Sequence, residues 1–148
     1  MMELVQILKN VDLFQGLTAD EVEKVSQICA ERRFSKGQWI AHEGESGSEL
    51  FIITEGLVDV LLGAKNDPSA RVVVSLGGGQ VIGEMALLDQ GPRSASLRAA
   101  NEPTILQVIQ RDDFEKLCQQ DTHIGYVVMR NLAADLSFKL RHQNLELR

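Results

Sequence analysis

Apolar positions recur at three- and four-residue steps at both ends of the chain, and in short runs or alternation between, which predicts helices flanking a block of strands. Near the N-terminus Leu4, Val5 and Leu8 share one helical face. Thr18 followed by Glu21 is a capping box, in which hydroxyl and carboxylate each satisfy a backbone N–H that the helix start leaves open. Val22, Val25, Ile28 and Cys29 then form one buried stripe, so this helix is expected to reach Cys29. Residues 11–17 between the two helices read as a tight apolar connector.

From Phe34 to Gln110 the texture changes to β-prone runs at 38–41, 50–54, 57–62, 71–76, 94–100 and 104–109, separated by turn residues. Glu55-Gly56 is a minimal turn, residues 64–70 a longer polar hairpin loop, and Gly77 to Gly79 a flexible turn. After Gln110 a helix starts with Asp112 and Asp113 in its first turn, and another runs from about Thr122. The expected fold class is α+β, mainly β: an eight-stranded jelly-roll-like barrel with N-terminal helices, a short helix inside the barrel and two C-terminal helices. The segments are 1–29, 30–110 and 111–148, within one domain spanning 1–148.

Composition agrees with a globular chain: 148 residues, 44% hydrophobic, 24% charged. A formal net charge of −6 argues against a surface that binds nucleic acid, since that requires Lys and Arg to displace phosphate counterions. Any anionic ligand must be held by a local site. No apolar run approaches the ~20 residues of a membrane span, and the N-terminus lacks a basic stretch followed by an apolar one, so the expected location is the cytoplasm. Cys29 and Cys118 have no C-x-x-C partners and read as buried free thiols.

Enzymatic chemistry finds little support. His42-Glu43 has no second histidine four residues on, there is no G-x-S-x-G, and His42, His123 and His142 are too scattered for a metal-binding barrel. The reading is a non-enzymatic protein with no metal and no cofactor.

The informative segment is 82–98, where a helix-prone stretch from Glu84 to Leu88 interrupts the strands. Its first turn offers open N–H groups to an anion, and Gly83 allows close approach of backbone and ligand. Gly91-Pro92 returns the chain so that Arg93 faces that turn, with a guanidinium that binds phosphate oxygens as a fork. Ser94 adds a hydroxyl donor and Ala95 an N–H, while Ala95, Leu97 and Ala99 point inward. Glu84 beside an anion site needs a neutral hydrogen-bond donor of the ligand, and a ribose hydroxyl fits. The competing structural reading has Glu84 offsetting the helix dipole and pairing with Arg93 at the surface.

The run from Ile82 to Leu88 followed by Pro92 to Leu97 resembles the phosphate-binding cassette of the cyclic-nucleotide-binding domain family, found in cAMP-receptor transcription factors, kinase regulatory subunits and gated channels. The run from Gly44 to Ile53, with Gly56, is similar to the family's second glycine-turn segment. The resemblance implies that Glu84 holds the ribose 2′-hydroxyl, that Arg93 with Ser94 and Ala95 holds the cyclic phosphate, and that the backbone of Gly83, Met85 and Ala86 lines phosphate and sugar. Family members cap the base from the last helix, where this chain offers Lys139, Leu140 and Arg141. The chain carries neither the helix-turn-helix of the transcription factors nor the spans of the channels, so a stand-alone member is expected.

The function that follows is a sensor of cAMP or cGMP that moves its C-terminal helices, signalling through a weak homodimer or an output protein. The alternative is a ligand-independent interaction or scaffold module, against which the pair Glu84 and Arg93 argues, because buried unpaired charge is costly. Tyr126, Met129, Ala133, Leu136, Leu140, Gln143 and Leu147 form a seam suited equally to a partner helix and to packing back on the barrel. Leu87 and Leu88 are expected to lean on the helix of Phe114.

Overall fold

The computed structural model describes residues 2–63, 71–89 and 91–147, and within them the side chains from residue 4 to residue 142. The expected hairpin loop 64–70 lies outside the described residues. Helices α1 (Met2–Lys9) and α2 (Ala19–Gln27) are joined by a 3₁₀ turn, Asp12–Phe14. Eight strands follow: β1 (Cys29–Phe34), β2 (Trp39–Ala41), β3 (Glu49–Glu55), β4 (Val58–Leu62), β5 (Arg71–Leu76), β6 (Val81–Ile82), β7 (Ser96–Ala99) and β8 (Thr104–Gln110). A second 3₁₀ turn, Glu84–Leu87, lies between β6 and β7, and helices α3 (Arg111–Gln120) and α4 (Thr122–Leu147) close the chain.

The strands make two four-stranded antiparallel sheets, β1-β8-β3-β6 and β2-β7-β4-β5. Among the described residues pairing does not pass from one sheet to the other, so the expected barrel is open. The edges of the first sheet explain this: β6 has two residues, and β1 exposes Glu31, Arg32 and Arg33, charges that discourage further pairing.

Strand β3 shows how the two layers share one sequence. Phe51 and Ile53 pack with Leu97, Leu106 and Val108 between the sheets, while Leu50 and Ile52 face the helices with Leu8, Phe14, Phe114 and Ile124. Burial on both faces accounts for the unbroken apolar run 50–53. Gly56 closes the β3–β4 turn at φ +87°, where a Cβ would stand 2.6 Å from Thr104 Oγ1 and 2.7 Å from the Pro103 carbonyl oxygen.

The capping box forms: Thr18 Oγ1 accepts from the Glu21 N–H at 3.2 Å, and Glu21 Oε1 accepts from the Thr18 N–H at 2.8 Å. Helix α2 ends at Gln27, short of the expected Cys29, because Cys29 pairs with Ile109 as the first residue of β1. Cys29 and Cys118 are partly buried free thiols. Burial pushes the Cys29 thiol up to about 12. Burial and the charges of Asp121 and Glu115 push the Cys118 thiol up to about 11.

Helix α4 is tied down at its start. His123 Nδ1 lies 2.7 Å from Glu21 Oε2, Lys24 Nζ pairs with Asp121 Oδ2 at 3.2 Å, and Asn131 Nδ2 donates to the carbonyls of Leu13 and Gln15 at 2.9 and 2.8 Å. Ile124, Val128 and Leu132 form its buried stripe. The expected seam is divided: Met129 and Leu136 pack on the core, whereas Tyr126, Ala133 and Leu140 are exposed. The side chains of Gln143 and Leu147 lie outside the described residues. No helix among the described residues is long and apolar enough to cross a membrane.

Candidate functional site

After β6 the chain enters a left-handed conformation at Gly83, φ +82°, and winds into the turn Glu84–Leu87. The expected helix through Leu88 is thus a 3₁₀ turn ending one residue earlier, with the Ala86 N–H donating to the Gly83 carbonyl at 2.9 Å. Ala86 and Leu87 are buried, and Leu87 joins the core cluster that contains Phe114. Leu88 departs from expectation: it is 44% exposed, so Leu87 alone leans towards α3.

Arg93 is brought back by the turn before it. Pro92 bridges to Ser46, the Arg93 N–H donates to the Glu45 carbonyl at 2.7 Å, and the Gly44 N–H donates to the Arg93 carbonyl at 2.9 Å. The two glycine-bearing segments singled out in the sequence therefore meet at Arg93. Its Nη2 donates to the Glu49 carbonyl at 3.0 Å, and its Cζ lies 5.0 Å from the centroid of the Phe51 ring. A Cβ on Gly47 would stand 2.8 Å from the guanidinium carbon, and one on Gly83 2.8 Å from Nη1. The guanidinium lies in a slot that only two residues without side chains leave open.

This slot opens into a cavity of about 830 Å³, a volume within the ~300–1,000 Å³ range of small-ligand sites. Gly83, Glu84, Met85, Ala86, Arg93, Ser94 and Ala95 all line it. Val60, Val74, Leu76 and Leu97 supply an apolar wall from the second sheet, and Asn131, Leu132, Asp135 and Lys139 of α4 border it as well.

The profile of the family described as cyclic nucleotide-binding domain matches residues 31–121. The chain belongs to that family. It is 35% identical over 143 residues to the "Cyclic AMP receptor protein" of Thermus thermophilus, an alignment covering 95% of this chain and 62% of that protein. Among solved structures, the Thermus thermophilus catabolite activator protein superposes with a TM-score of 0.80 at 34% identity, over 92% of this chain and 61% of that one. The regulatory domain of Toxoplasma gondii PKA, co-crystallised with cAMP, superposes with a TM-score of 0.70 at 27% identity, over 78% of this chain and 43% of that one. The chain spans about three fifths of the length of the Thermus relatives.

Within this cyclic nucleotide-binding domain the charges that line the cavity include Glu84 and Arg93, of opposite sign. Burial pushes the Glu84 carboxyl above its ordinary value, and the nearby Asp135 charge adds to this while Lys139 opposes it. Burial draws the Arg93 guanidinium down, against the opposing pull of Glu49 and Glu45. Among the described residues neither Glu84 nor Arg93 forms an ion pair, with each other or with anything else. The surface pairing considered for the two residues is therefore not made.

Of the three residues offered by the last helix, only Lys139 lines the cavity; Leu140 and Arg141 are exposed. Lys139 Nζ pairs with Asp135 Oδ2 at 2.9 Å, a bond that raises its pKa despite partial burial, with the Glu84 charge adding to the effect. Asp135 and Asn131 escape the sequence reading; their four-residue spacing, continued by Lys139, is the signal that places them on one helix face. Ser94 is exposed at the cavity rim, and Ala95 half-buried. Among the described residues no group of three His, Cys, Asp or Glu side chains gathers as a metal site.

Proposed function

We infer that the chain is a non-enzymatic sensor of a purine cyclic nucleotide, with cAMP as the ligand, and that 1–148 acts as one regulatory unit. The observation that carries this is Arg93: a partly buried cation without an ion-pair partner among the described residues, facing a cavity beside Glu84. A cyclic phosphate supplies the missing anion, and its two free oxygens suit the guanidinium fork. Ser94 and the Ala95 N–H flank the same spot. Glu84 accepts from the ribose 2′-hydroxyl, which keeps a carboxylate near a phosphate without repulsion along the bond. The backbone of Gly83, Met85 and Ala86 lines phosphate and sugar, and the apolar wall takes the base, with Lys139 and Asp135 at its outer edge. The similar proteins include cGMP-dependent protein kinases, at 29–30% identity over 74–78% of this chain; the choice of cAMP follows the cyclic AMP receptor protein, at 35% identity over 95% of it.

Output passes through α4, which borders the cavity and presents Tyr126, Ala133 and Leu140 outward, the face for a weak homodimer or an output protein. Ligand binding shifts the position of this helix only by its differential affinity for the two arrangements. Calorimetric titration with cAMP and cGMP tests the reading: saturable uptake of cAMP is expected, tighter than cGMP. Uptake of neither nucleotide, with the fold intact, favours the ligand-independent module.

A further inference from the structure

A carboxylate paired with Arg93 is a rival of any phosphate that binds there. Arg93 Nη2 donates to the backbone carbonyl of Glu49, so the Glu49 carboxylate is the acidic side chain nearest in the chain to the guanidinium's anchor. Burial raises the Glu49 carboxyl, but bonds from Arg32 and Gln110 and the charges of Arg32 and Arg93 carry it below its ordinary value. It is ionised at neutral pH, and it attracts Arg93.

Two side chains from other strands hold this carboxylate. Arg32 on β1 reaches across β8 and holds it with both ends of its fork, Nη2 at 2.6 Å from Oε2 and Nη1 at 3.3 Å from Oε1. Gln110, the register partner of Glu49 on β8, donates to Oε2 at 2.8 Å. With both oxygens engaged, Glu49 makes no ion pair with Arg93 among the described residues.

We propose that Arg32 is a positioning residue for the anion site: by holding the Glu49 carboxylate it keeps the Arg93 guanidinium free for the ligand's phosphate. Arg32 lies outside the cavity lining. The inference rests on the assignment of Arg93 as the phosphate anchor.

The test uses the full chain and cAMP. Arg32→Ala leaves Glu49 held by the single, uncharged bond from Gln110 and its Oε1 without a partner, so that the carboxylate can pair with Arg93; the nucleotide must then displace a charge-assisted bond, and affinity is expected to fall about tenfold. Arg32→Lys is expected to recover most of it. Arg32→Ala combined with Glu49→Gln removes the rival together with its restraint and is expected to return within about twofold of wild type. Wild-type affinity in Arg32→Ala, or a double variant as weak as Arg32→Ala alone, overturns the proposal, the latter because a general structural role is not rescued by neutralising Glu49. A crystal structure of ligand-free Arg32→Ala provides an arm independent of nucleotide. There the Glu49 carboxylate is expected within about 4 Å of Arg93, and a carboxylate that stays away from Arg93 overturns the inference. A wild type that takes up neither cAMP nor cGMP overturns the functional reading alone.

Discussion

Nη1 of Arg93 lies 2.8 Å from the point where a Cβ on Gly83 would stand. Two demands meet at Gly83, a left-handed backbone at φ +82° and the absence of a side chain, and both serve the same guanidinium. Gly83→Ala is therefore expected to strain the turn before Glu84 and push Arg93 from its slot. Titration is expected to show cAMP binding weakened at least about tenfold, and a variant that binds like wild type would show that Arg93 has room to spare.

Arg93 supplies the only fork aimed at the phosphate in the proposed binding mode. Hydrogen bonds to charged groups contribute about 1.5–3 kcal/mol each, so Arg93→Ala is expected to weaken cAMP at least about tenfold. An unchanged dissociation constant in calorimetry sinks the assignment.

Glu84 reads the sugar in the same proposal. Wild type is expected to bind 2′-deoxy-cAMP worse than cAMP, and Glu84→Ala to bind the two about equally, a cycle that isolates the carboxylate–hydroxyl pair. A preference for the hydroxyl that survives in Glu84→Ala assigns the sugar contact to another group.

Burial raises the Glu84 carboxyl, so the folded chain holds that proton more tightly than the unfolded one. The stabilising contribution of the protonated group is fully present below the ordinary carboxylate value and is lost as pH rises through the raised one. Glu84→Gln, neutral throughout, is expected to melt higher than wild type near about pH 7 without ligand and to lose this advantage near about pH 4. Thermal melts in which the difference runs the other way contradict the partly buried, unpaired state of Glu84.

Asn131 anchors α4 by donating to the Leu13 and Gln15 carbonyls, and lines the cavity one turn before Asp135 and two before Lys139. Asn131→Ala leaves both carbonyls without that donor and is expected to speed hydrogen exchange in 122–142, with saturating cAMP slowing it again. Exchange in α4 that is identical with and without cAMP in the wild type rules out this helix as the output element.

The outline of the molecule was legible because local rules governed it. The capping box at Thr18 and Glu21, the helix start at Arg111 and the break before Thr122 depend on neighbours in the chain, and each formed as read. The missed strands are those whose pairing is non-local. Cys29–Phe34 is a charged edge strand with four consecutive exposed residues, and no alternation marks it; only its register with β8 makes it a strand. Val81–Ile82 is too short to carry a pattern and exists by pairing with Phe51 and Ile52.

For the candidate site, the sequence by itself determined the residue types, the spacing from Gly83 to Ala95, and the left-handed turn that a glycine permits at low cost. Tertiary structure decided the rest. It set Gly47 against Arg93, carried Asp135 and Lys139 of α4 to the cavity opposite Glu84, and turned the Glu49 carboxylate towards Arg32. It also divided the α4 seam, because the stripe Ile124, Val128 and Leu132 buries more completely against the core and fixes the helix rotation. Spacing along a chain sets which side chains share a face; which charge ends beside which depends on contacts between strands and helices far apart in sequence.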